Sequence, residues 1–493
     1  MGEGGARGGH QGGMNLEHHS IAPAGPVDAV TRAIAEYVSG YRIEDEEALD
    51  AAHLCLIDAL GCAFDGLTNA ECRRLLGPLF PFDEPRGGGA RVPGTALDLD
   101  PIAAAFDIGC AARWLDFSDT YVGAQGSHPS DNIGGILAVS DYISRSRTKA
   151  PLFVRDVLHA IIKAYEIQGV LSIENSFYGV GLDHVLLVKL ATAAVATHLL
   201  GGGVAEVMAA VSNAWVDGHS LSTYRRSPNA GTRKSWAGAE ATAKGLFLAA
   251  LAMRGEMAYP TALTAKTWGL YDVLFKGRPF DVPRPYGTSI VKEVQFKVQV
   301  PTVFNAQTAA ECAIKLHPLV RDRLDHITRI VISAHETTLR LNAKTGRLTT
   351  AADRDHCVQF IVAVGLSKGG VESADYEGEK AADPLVERLR ERTEVVEELQ
   401  YTVDYNDPGK RASANAVQVW FDDGTSTPKI EVVYPLGHPR RRQDAIPLLR
   451  DKFARNVAKV FSEEKQRRIL DTLLNRDTVQ HMRVDEMMGL LSR

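Results

Sequence analysis

Apolar residues recur at helical spacing through the first part of the chain. The segments in which they repeat at intervals of three and four are 47–64, 154–165, 184–200, 205–216 and 235–256. Several of these segments are apolar around most of their circumference and rich in alanine and glycine, which favours close packing of central helices. The pattern predicts a domain of buried helices.

The periodicity changes near residue 290. Apolar and polar residues alternate over 294–300, which predicts a strand. Segment 327–333 also has the character of a strand, and 417–421 with 430–434 predicts a hairpin around Asp422-Asp423-Gly424. Helical segments lie between these strands, so the predicted fold class is mainly α with a second, α+β domain.

These patterns divide the chain into four parts. They are a glycine-rich tail over 1–25 that we expect to be disordered, a helical domain over 26–290, an α+β domain over 291–436 and helices over 437–493. The pattern does not decide which domain the last helices join. Polar residues interrupt the apolar run over 184–200, so it predicts a buried helix and not a membrane span.

Composition narrows the classes of function. Apolar residues make up 45% of the chain and charged residues 24%, as in ordinary globular proteins, and the net charge of -6 disfavours a general nucleic-acid partner. The six cysteines form no Cys-x-x-Cys pair, so we expect no zinc-ribbon or ferredoxin-type site and a reducing compartment. The tail lacks the apolar run of a signal peptide, so we expect a cytoplasmic protein, or a mitochondrial matrix protein in a eukaryotic host.

Candidate chemistry is concentrated in segment 113–132, between two apolar segments. Arg113, Asp116, Thr120 and His128 bring a guanidinium, a carboxylate, a hydroxyl and an imidazole into one short stretch. Imidazole titrates near neutral pH, and such a density of polar groups between core helices is typical of a functional site.

The same segment allows a purely structural interpretation. Asp116 and Asp119 would share a face on a helical turn, where paired carboxylates can divide into an acid and a base or bind a metal. Asp119 can equally cap a helix, and Ser130 or Asn132 can cap the helix predicted to start near Ile133. The sequence alone leaves both interpretations open.

A second polar segment, 224–235, precedes the long helix that we expect to begin at the N-cap Ser235. Its basic residues are Arg225, Arg226, Arg233 and Lys234. Cations at a helix N-terminus are locally unfavourable unless an anion binds there, so the segment favours an anion site over a solvated basic loop.

Three further features have ordinary structural explanations by pattern alone. Lys297 would be a solvated lysine on the polar face of the predicted strand, and His184 a capping or core histidine. The segment Asp353-Arg354-Asp355-His356 resembles a helix start with Asp353 as its cap.

The chain resembles the MmgE/PrpD family over nearly its whole length after about residue 28. The stretches that carry the resemblance are RWLDFSDT, HPSDNIGGILAVSDY, AYEIQG, SIENSF, VGLDHVLLVK, WVDGHS, TYRRSPNAGTRKSWA, YPTALTA, WGLYDVLFKG, ADRDHC and YPLGHPRRRQD. The family holds 2-methylcitrate dehydratases and cis-aconitate decarboxylases. The resemblance implies a helical domain with an α+β lid, an active site between them, C-terminal helices that rejoin the helical domain, a homodimer, and no metal or organic cofactor.

The resemblance also implies roles for particular residues. By position it implies catalytic roles for Asp116, Thr120, His128, His184, Lys234 and Lys297. A tricarboxylate substrate needs cations and hydrogen-bond donors, for which we select Arg113, Arg225, Arg226 and Ser130 besides the two lysines. Asn305 stands where related dehydratases carry histidine, so we give that position no role.

The implied reaction is dehydration of 2-methylcitrate to 2-methyl-cis-aconitate in propionate breakdown, with citrate and cis-aconitate as related substrates. The longer spacer between Thr120 and His128 favours the dehydratase branch over the decarboxylases. Such a reaction needs a base for the α proton and an acid for the hydroxyl. Asp116 or His128 would be the base, and the other, or His184, the acid, with Lys234 and Lys297 holding carboxylates from the two domains.

Three rival functions remain at this stage. The first is decarboxylation of cis-aconitate in a similar anion pocket. The second is an aconitase-type iron–sulfur hydratase, which the scattered cysteines disfavour. The third, from a different class, is a non-enzymatic helical interaction protein, which the basic loop 225–234 disfavours.

Overall fold

The structure, a computed structural model, describes residues 26–78, 89–226 and 229–493, so the expectation for the tail over 1–25 lies outside the described residues. The larger of its hydrophobic cores lies among helices of the first part of the chain. These helices are α1 (Ala29–Gly40), α2 (Glu46–Gly66), α3 (Ala70–Leu75), α4 (Pro101–Arg113), α5 (Ile133–Arg145), α6 (Val154–Ser172), α7 (Val185–Leu199), α8 (Val204–Val216), α9 (Arg233–Ala252), α10 (Leu270–Phe275) and α11 (Ile290–Glu293).

The helices predicted from apolar spacing are confirmed as α2, α6, α7, α8 and α9. Helix α7 is central, since it contacts α6, α8 and α9 and nearly all of its side chains are buried. The predicted N-cap Ser235 is wrong, because α9 already begins at Arg233 and Ser235 lies in its first turn. A short antiparallel pair, β1 (Ala90–Arg91) with β2 (Asp98–Leu99), precedes α4.

A second hydrophobic core forms around a four-stranded sheet. Its strands are β3 (Ile327–Ala334), β4 (Thr393–Glu397), β5 (Asn415–Phe421) and β6 (Ile430–Val432), in the order β4-β3-β5-β6. Only the β3–β4 pair is parallel, and β5 with β6 confirms the predicted hairpin. The accompanying helices are α12 (Gln307–Val320), α13 (Glu336–Asn342), α14 (Ala351–Arg354), α15 (Val358–Lys368), α16 (Gly378–Ala381), α17 (Pro384–Glu391) and α18 (Leu399–Asn406).

The chain ends in helices that return to the larger core. They are α19 (Arg442–Ala458), α20 (Glu463–Leu473), α21 (Arg476–Val479) and α22 (Val484–Leu490). Helix α19 packs against α2 and buries Leu449 and Phe453, while α22 packs against α5 and buries Met487. Within the described residues, no helix is long and apolar enough to cross a membrane.

The strand predicted over 294–300 is wrong. Only isolated bridges form there, between Gln295 and Thr120 and between Phe296 and Gly437. Val298 and its apolar neighbours face the core. On the other side Gln295 and Lys297 are buried, with Lys297 only 1% exposed, whereas Gln299 is exposed. The expectation of a solvated Lys297 is therefore also wrong, since the polar side of the segment is buried at Gln295 and Lys297 and meets solvent at Gln299.

Candidate active site

Asp116 is the centre of a buried cluster of charged side chains. Its Oδ1 accepts hydrogen bonds from Arg113 Nη1 at 2.6 Å and Lys297 Nζ at 2.7 Å, and Lys297 also donates to the Asp116 carbonyl at 2.9 Å. Asp116 has a φ of 48°, uncommon for a residue other than glycine. Burial alone would raise the pKa of Asp116, but Arg113 and Lys297 outweigh it and hold that pKa well below its usual range. Asp116 is therefore a carboxylate neutralised by two cations.

His128 lies beside this carboxylate in a defined tautomer. Its Nδ1 is 2.7 Å from the Asp119 carbonyl oxygen, which only accepts, so Nδ1 carries a proton and neutral His128 has a lone pair on Nε2. That Nε2 is 3.8 Å from Asp116 Oδ1. Burial, followed by the charges of Arg113 and Lys297, lowers the pKa of His128 well below its ordinary value. The arrangement presents an unprotonated imidazole nitrogen.

Thr120 ties the loop of Asp116 and His128 to segment 294–300, which leads into the second domain. Its backbone exchanges two hydrogen bonds with Gln295, both 2.8 Å long. Its Oγ1 lies 3.4 Å from His128 Nδ1. The backbone of Tyr121 pairs in turn with that of Ser127, which folds the loop back so that His128 returns to Asp116. Thr120 therefore lies in the cluster, at the junction of the domains.

Lys234, at the start of α9, reaches across to the second domain. Its Nζ donates to both carboxylate oxygens of Asp355, at 2.6 and 2.8 Å. His356 Nδ1 lies 2.6 Å from Asp355 Oδ1, and its Nε2 lies 3.5 Å from Asp116 Oδ2. Burial, followed by the charge of Lys234, lowers the pKa of His356 to about 4. A second imidazole thus faces Asp116 from the second domain.

The sequence interpretation missed Asp355 and His356. It took this segment as a helix start capped by Asp353, but the cap is Thr350, whose Oγ1 accepts from the Asp353 amide at 3.1 Å. The signal that could have found the pair is the density of polar residues in ADRDHC, which is also one of the stretches carrying the family resemblance.

His184 and Ser130 lie next to Asp131 in the same region: Ser130 precedes Asp131 in the chain, and His184 faces its carboxylate. His184 Nε2 lies 3.6 Å from Asp131 Oδ2, its Nδ1 lies 3.1 Å from Asp183 Oδ1, and its ring centroid is 5.4 Å from that of His128. A Cβ at Gly238 of α9 would come within 2.5 Å of the Asp131 carboxylate, so glycine permits this close approach.

Several buried polar atoms of this region have no hydrogen-bond partner among the described residues. They are Arg113 Nε, Ser130 Oγ, Asp131 Oδ2 and His184 Nε2. Burying an unpaired polar atom costs free energy, so a concentration of such atoms favours binding of a polar ligand.

The other predicted cations are placed differently. Arg225 is paired through bonds of 2.5 and 3.1 Å with Asp183, the carboxylate that also lies beside His184 Nδ1. Arg226 lies over the Tyr178 ring, 5.4 Å from its centroid. Asn305, to which no role was given, donates to Asn342 within the second domain.

Solvent reaches the cluster at its two outer imidazoles. The His128 side chain is 13% exposed and that of His356 18%, against 3% for Asp116. A cleft of about 390 Å³ between the domains is lined in part by Lys234 and Asp355. Among the described residues, no group of three or more histidine, cysteine or acidic side chains has the arrangement of a metal site.

Asp119 does not share a face with Asp116, so the expectation of paired carboxylates is wrong. Its Oδ2 accepts from Tyr165 OH at 2.7 Å, and its Oδ1 from the Ser130 amide at 3.3 Å. The loop is not helical, so a spacing of three does not align the two side chains. Burial raises the pKa of Asp119 from 3.8 to about 6, partly opposed by the bonds from Ser130 and Tyr165.

We predict that Asp119→Asn removes one component of the pH dependence of stability. The folded pKa lies above the unfolded value, so this contribution is fully present below about pH 4 and is lost as the pH rises through about 6. The wild-type protein should lose about 3 kcal/mol more than the variant from well below pH 4 to well above pH 6, of which about 2 kcal/mol falls between those two values. Urea unfolding at several pH values measures this difference, and parallel curves for the two proteins would contradict it.

Comparison with known proteins places the chain in a family. The MmgE/PrpD N-terminal domain matches residues 32–283, and the MmgE/PrpD C-terminal domain matches residues 300–477. The chain is 49% identical to 2-methylcitrate dehydratase of Salmonella typhimurium, over 93% of this chain and 96% of that protein. It is 50% identical to 2-methylcitrate dehydratase of Cupriavidus necator, over 94% and 97% of the two chains. It is 45% identical to mitochondrial 2-methylcitrate dehydratase of Yarrowia lipolytica, over 94% and 90%. Both domains and nearly the full length match, so the chain belongs to the MmgE/PrpD family.

Proposed function

We propose that the protein is a 2-methylcitrate dehydratase, a hydro-lyase that converts 2-methylcitrate to 2-methyl-cis-aconitate in propionate breakdown. Near-full-length similarity to bacterial and fungal proteins of that name supports the substrate. The observation that carries the chemistry is the unprotonated Nε2 of His128 beside a carboxylate held by Arg113 and Lys297.

In the proposed reaction His128 is the base. Its Nε2 takes the proton from C2, which is α to a carboxylate, and the electron pair of that C–H bond forms the double bond to C3. The C3–O bond breaks, and the oxygen leaves as water after it receives a proton from an acid. The developing negative charge lies on the substrate carboxylate, where Lys297, Arg113 and Lys234 stabilise it.

The substrate brings three carboxylates to a cluster whose cations are already paired with aspartates. Lys234 and Lys297 are paired with Asp355 and Asp116. When the substrate binds, each of these lysines must therefore interact both with its aspartate and with a substrate carboxylate. Arg113 Nε, which lies 3.6 Å from Asp131 Oδ1, and Ser130 Oγ supply further donors.

The test is turnover of chelator-treated protein on 2-methylcitrate, followed by ultraviolet absorbance of the conjugated product. Cis-aconitate is run in parallel with detection of carbon dioxide. We expect a rising absorbance without added metal and no carbon dioxide. Carbon dioxide from cis-aconitate without dehydration would reassign the protein to decarboxylation, and inactivity on both substrates would overturn the proposed function.

We further propose a homodimer. An exposed apolar surface supports it, in which Trp268 is 84%, Val273 59% and Val216 58% exposed around one shallow cavity. A second copy of the chain would cover this surface in a two-fold arrangement.

Trp268→Glu is accordingly expected to convert a dimer to a monomer, because it places a charge in the centre of the buried apolar surface. Light scattering coupled to gel filtration measures the mass. Leu399→Glu, at a residue of the second domain that is 73% exposed, is the matched control and should stay dimeric. A wild-type monomer, or a dimeric Trp268→Glu, would contradict this assignment of the interface.

We place the protein in a reducing compartment, the bacterial cytoplasm or the mitochondrial matrix. All six cysteines are free and buried, as expected where disulfides do not form. The relative from Yarrowia lipolytica carries the word mitochondrial in its name.

A further inference from the structure

We propose that His356 is the general acid that protonates the departing hydroxyl group, so that the second domain supplies half of the acid–base chemistry. The inference rests on the proposed dehydration. Its geometric basis is that two imidazoles flank one carboxylate: His128 Nε2 is 3.8 Å from Asp116 Oδ1, and His356 Nε2 is 3.5 Å from Asp116 Oδ2. A substrate bound against the Asp116 cluster would therefore meet one imidazole from each domain.

The partners of the two rings differ in charge. Both rings face Asp116, but His128 is buried with a neutral carbonyl at Nδ1 and the cations Arg113 and Lys297 nearby, which disfavour a second proton. His356 has a carboxylate at each nitrogen, Asp355 at 2.6 Å and Asp116 at 3.5 Å, which stabilise an imidazolium. Lys234 opposes this at 3.1 Å from Nδ1, but its shorter bonds go to Asp355.

Other acids of the cluster are less suited to reach a substrate. His184 is 1% exposed and is held between Asp131 and Asp183. The Asp119 carboxylate is bound by Tyr165 and Ser130. His356 is 18% exposed and has an Nε2 directed toward the shared carboxylate of Asp116.

The proton on His356 arrives with the substrate. In the substrate-free protein, burial and then Lys234 lower the pKa of His356 to about 4, and Asp355 and Asp116 are the groups that oppose them. Three substrate carboxylates add negative charge beside the ring and raise that pKa. In the elimination the C2 proton passes to His128 Nε2, the C3–O bond breaks, and the oxygen leaves as water with the proton from His356 Nε2. Exchange with solvent then restores both rings.

The first experiment distinguishes the general acid from the general base by changing the leaving group of the substrate. His356→Gln and His128→Gln are assayed on 2-methylcitrate and on the analogue with fluorine in place of the hydroxyl, whose departure as fluoride needs little help from an acid. We expect His356→Gln to lose about 100-fold or more on 2-methylcitrate but less than about tenfold in fluoride release. His128→Gln should lose both activities. Equal losses of the two activities in His356→Gln would overturn the assignment.

The second experiment measures the proton itself. Calorimetric binding of tricarballylate, which has no hydroxyl to lose, is repeated at pH 7.5 in buffers of different ionisation enthalpy. Wild type and His128→Gln should take up a proton on binding, whereas His356→Gln should not. Asp355→Asn keeps the side-chain volume and should reduce both the uptake and dehydration, because it removes the carboxylate at His356 Nδ1. Undiminished uptake in His356→Gln would overturn the proposal.

The two proposals fail in different ways. A wild-type protein that does not dehydrate 2-methylcitrate overturns the proposed function. A wild-type protein that does so, together with a fully active His356→Gln, overturns only the role of His356.

Discussion

We expect Asp116→Ala to lower the free energy of unfolding by about 3–5 kcal/mol and to abolish dehydratase activity. The substitution leaves Arg113 and Lys297 buried without their common counter-charge, and both side chains are at most 5% exposed. It also removes the bonds that hold the loop at a positive φ and the carboxylate that lies between His128 and His356. Asp116 is therefore expected to contribute both to the stability of the fold and to dehydratase activity.

Urea unfolding and turnover measure the two effects separately. Asp325→Ala is the matched control, because Asp325 also pairs with an arginine, Arg388, but is 86% exposed. An exposed pair contributes little, so this control should lose less than about 1 kcal/mol and keep full activity. An Asp116→Ala protein as stable as the control would show that Arg113 and Lys297 do not depend on this carboxylate.

The predictions from apolar periodicity were confirmed where burial of apolar side chains or formation of a short turn alone sets the local structure. Helix α7 is buried on almost every side, and its near-continuous apolar sequence predicts that position directly. The hairpin of β5 and β6 was equally accessible, because a short polar turn separates two segments of strand-forming residues.

Segment 294–300 shows why alternation failed. Alternation establishes that two sides of a segment differ in polarity, but it does not establish that the polar side meets water. Here Lys297 faces Asp116 in a buried cluster, and its neighbour Gln295 pairs with Thr120. A single sequence contains no signal that distinguishes a buried polar site from solvent.

Only part of the site could be predicted, because local patterns describe only residues that are close in sequence. The residues of loop 113–132 are close in sequence, so their density was visible without a structure. The role of Asp355 depends on Lys234, 121 positions away, and that of His356 on Asp116 in the other domain. Local patterns describe these residues only as a helix start, and the resemblance marks their segment without assigning them a role.

His128→Gln is expected to lower kcat by about 10²–10⁴-fold with little change in KM, the usual contribution of a general base. Glutamine keeps a polar side chain in the loop but has no nitrogen lone pair to accept the C2 proton. The effect is specific because the Asp119 carbonyl fixes the tautomer, and burial together with the charges of Arg113 and Lys297 keeps the ring neutral. Steady-state turnover of 2-methylcitrate measures it.

A matched control separates this role from the general cost of replacing a buried histidine. His53 is also buried and bonds a backbone carbonyl, that of Leu473 at 2.6 Å, but it belongs to the contact between α2 and α20. His53→Gln should therefore lose stability without a comparable loss of kcat. Added imidazole should restore part of the activity of His128→Ala, because it can occupy the vacated volume and accept the proton. Undiminished turnover in His128→Gln would transfer the role of base to another group, and Asp116 would then be the nearest candidate, although its two cations make it a weak proton acceptor.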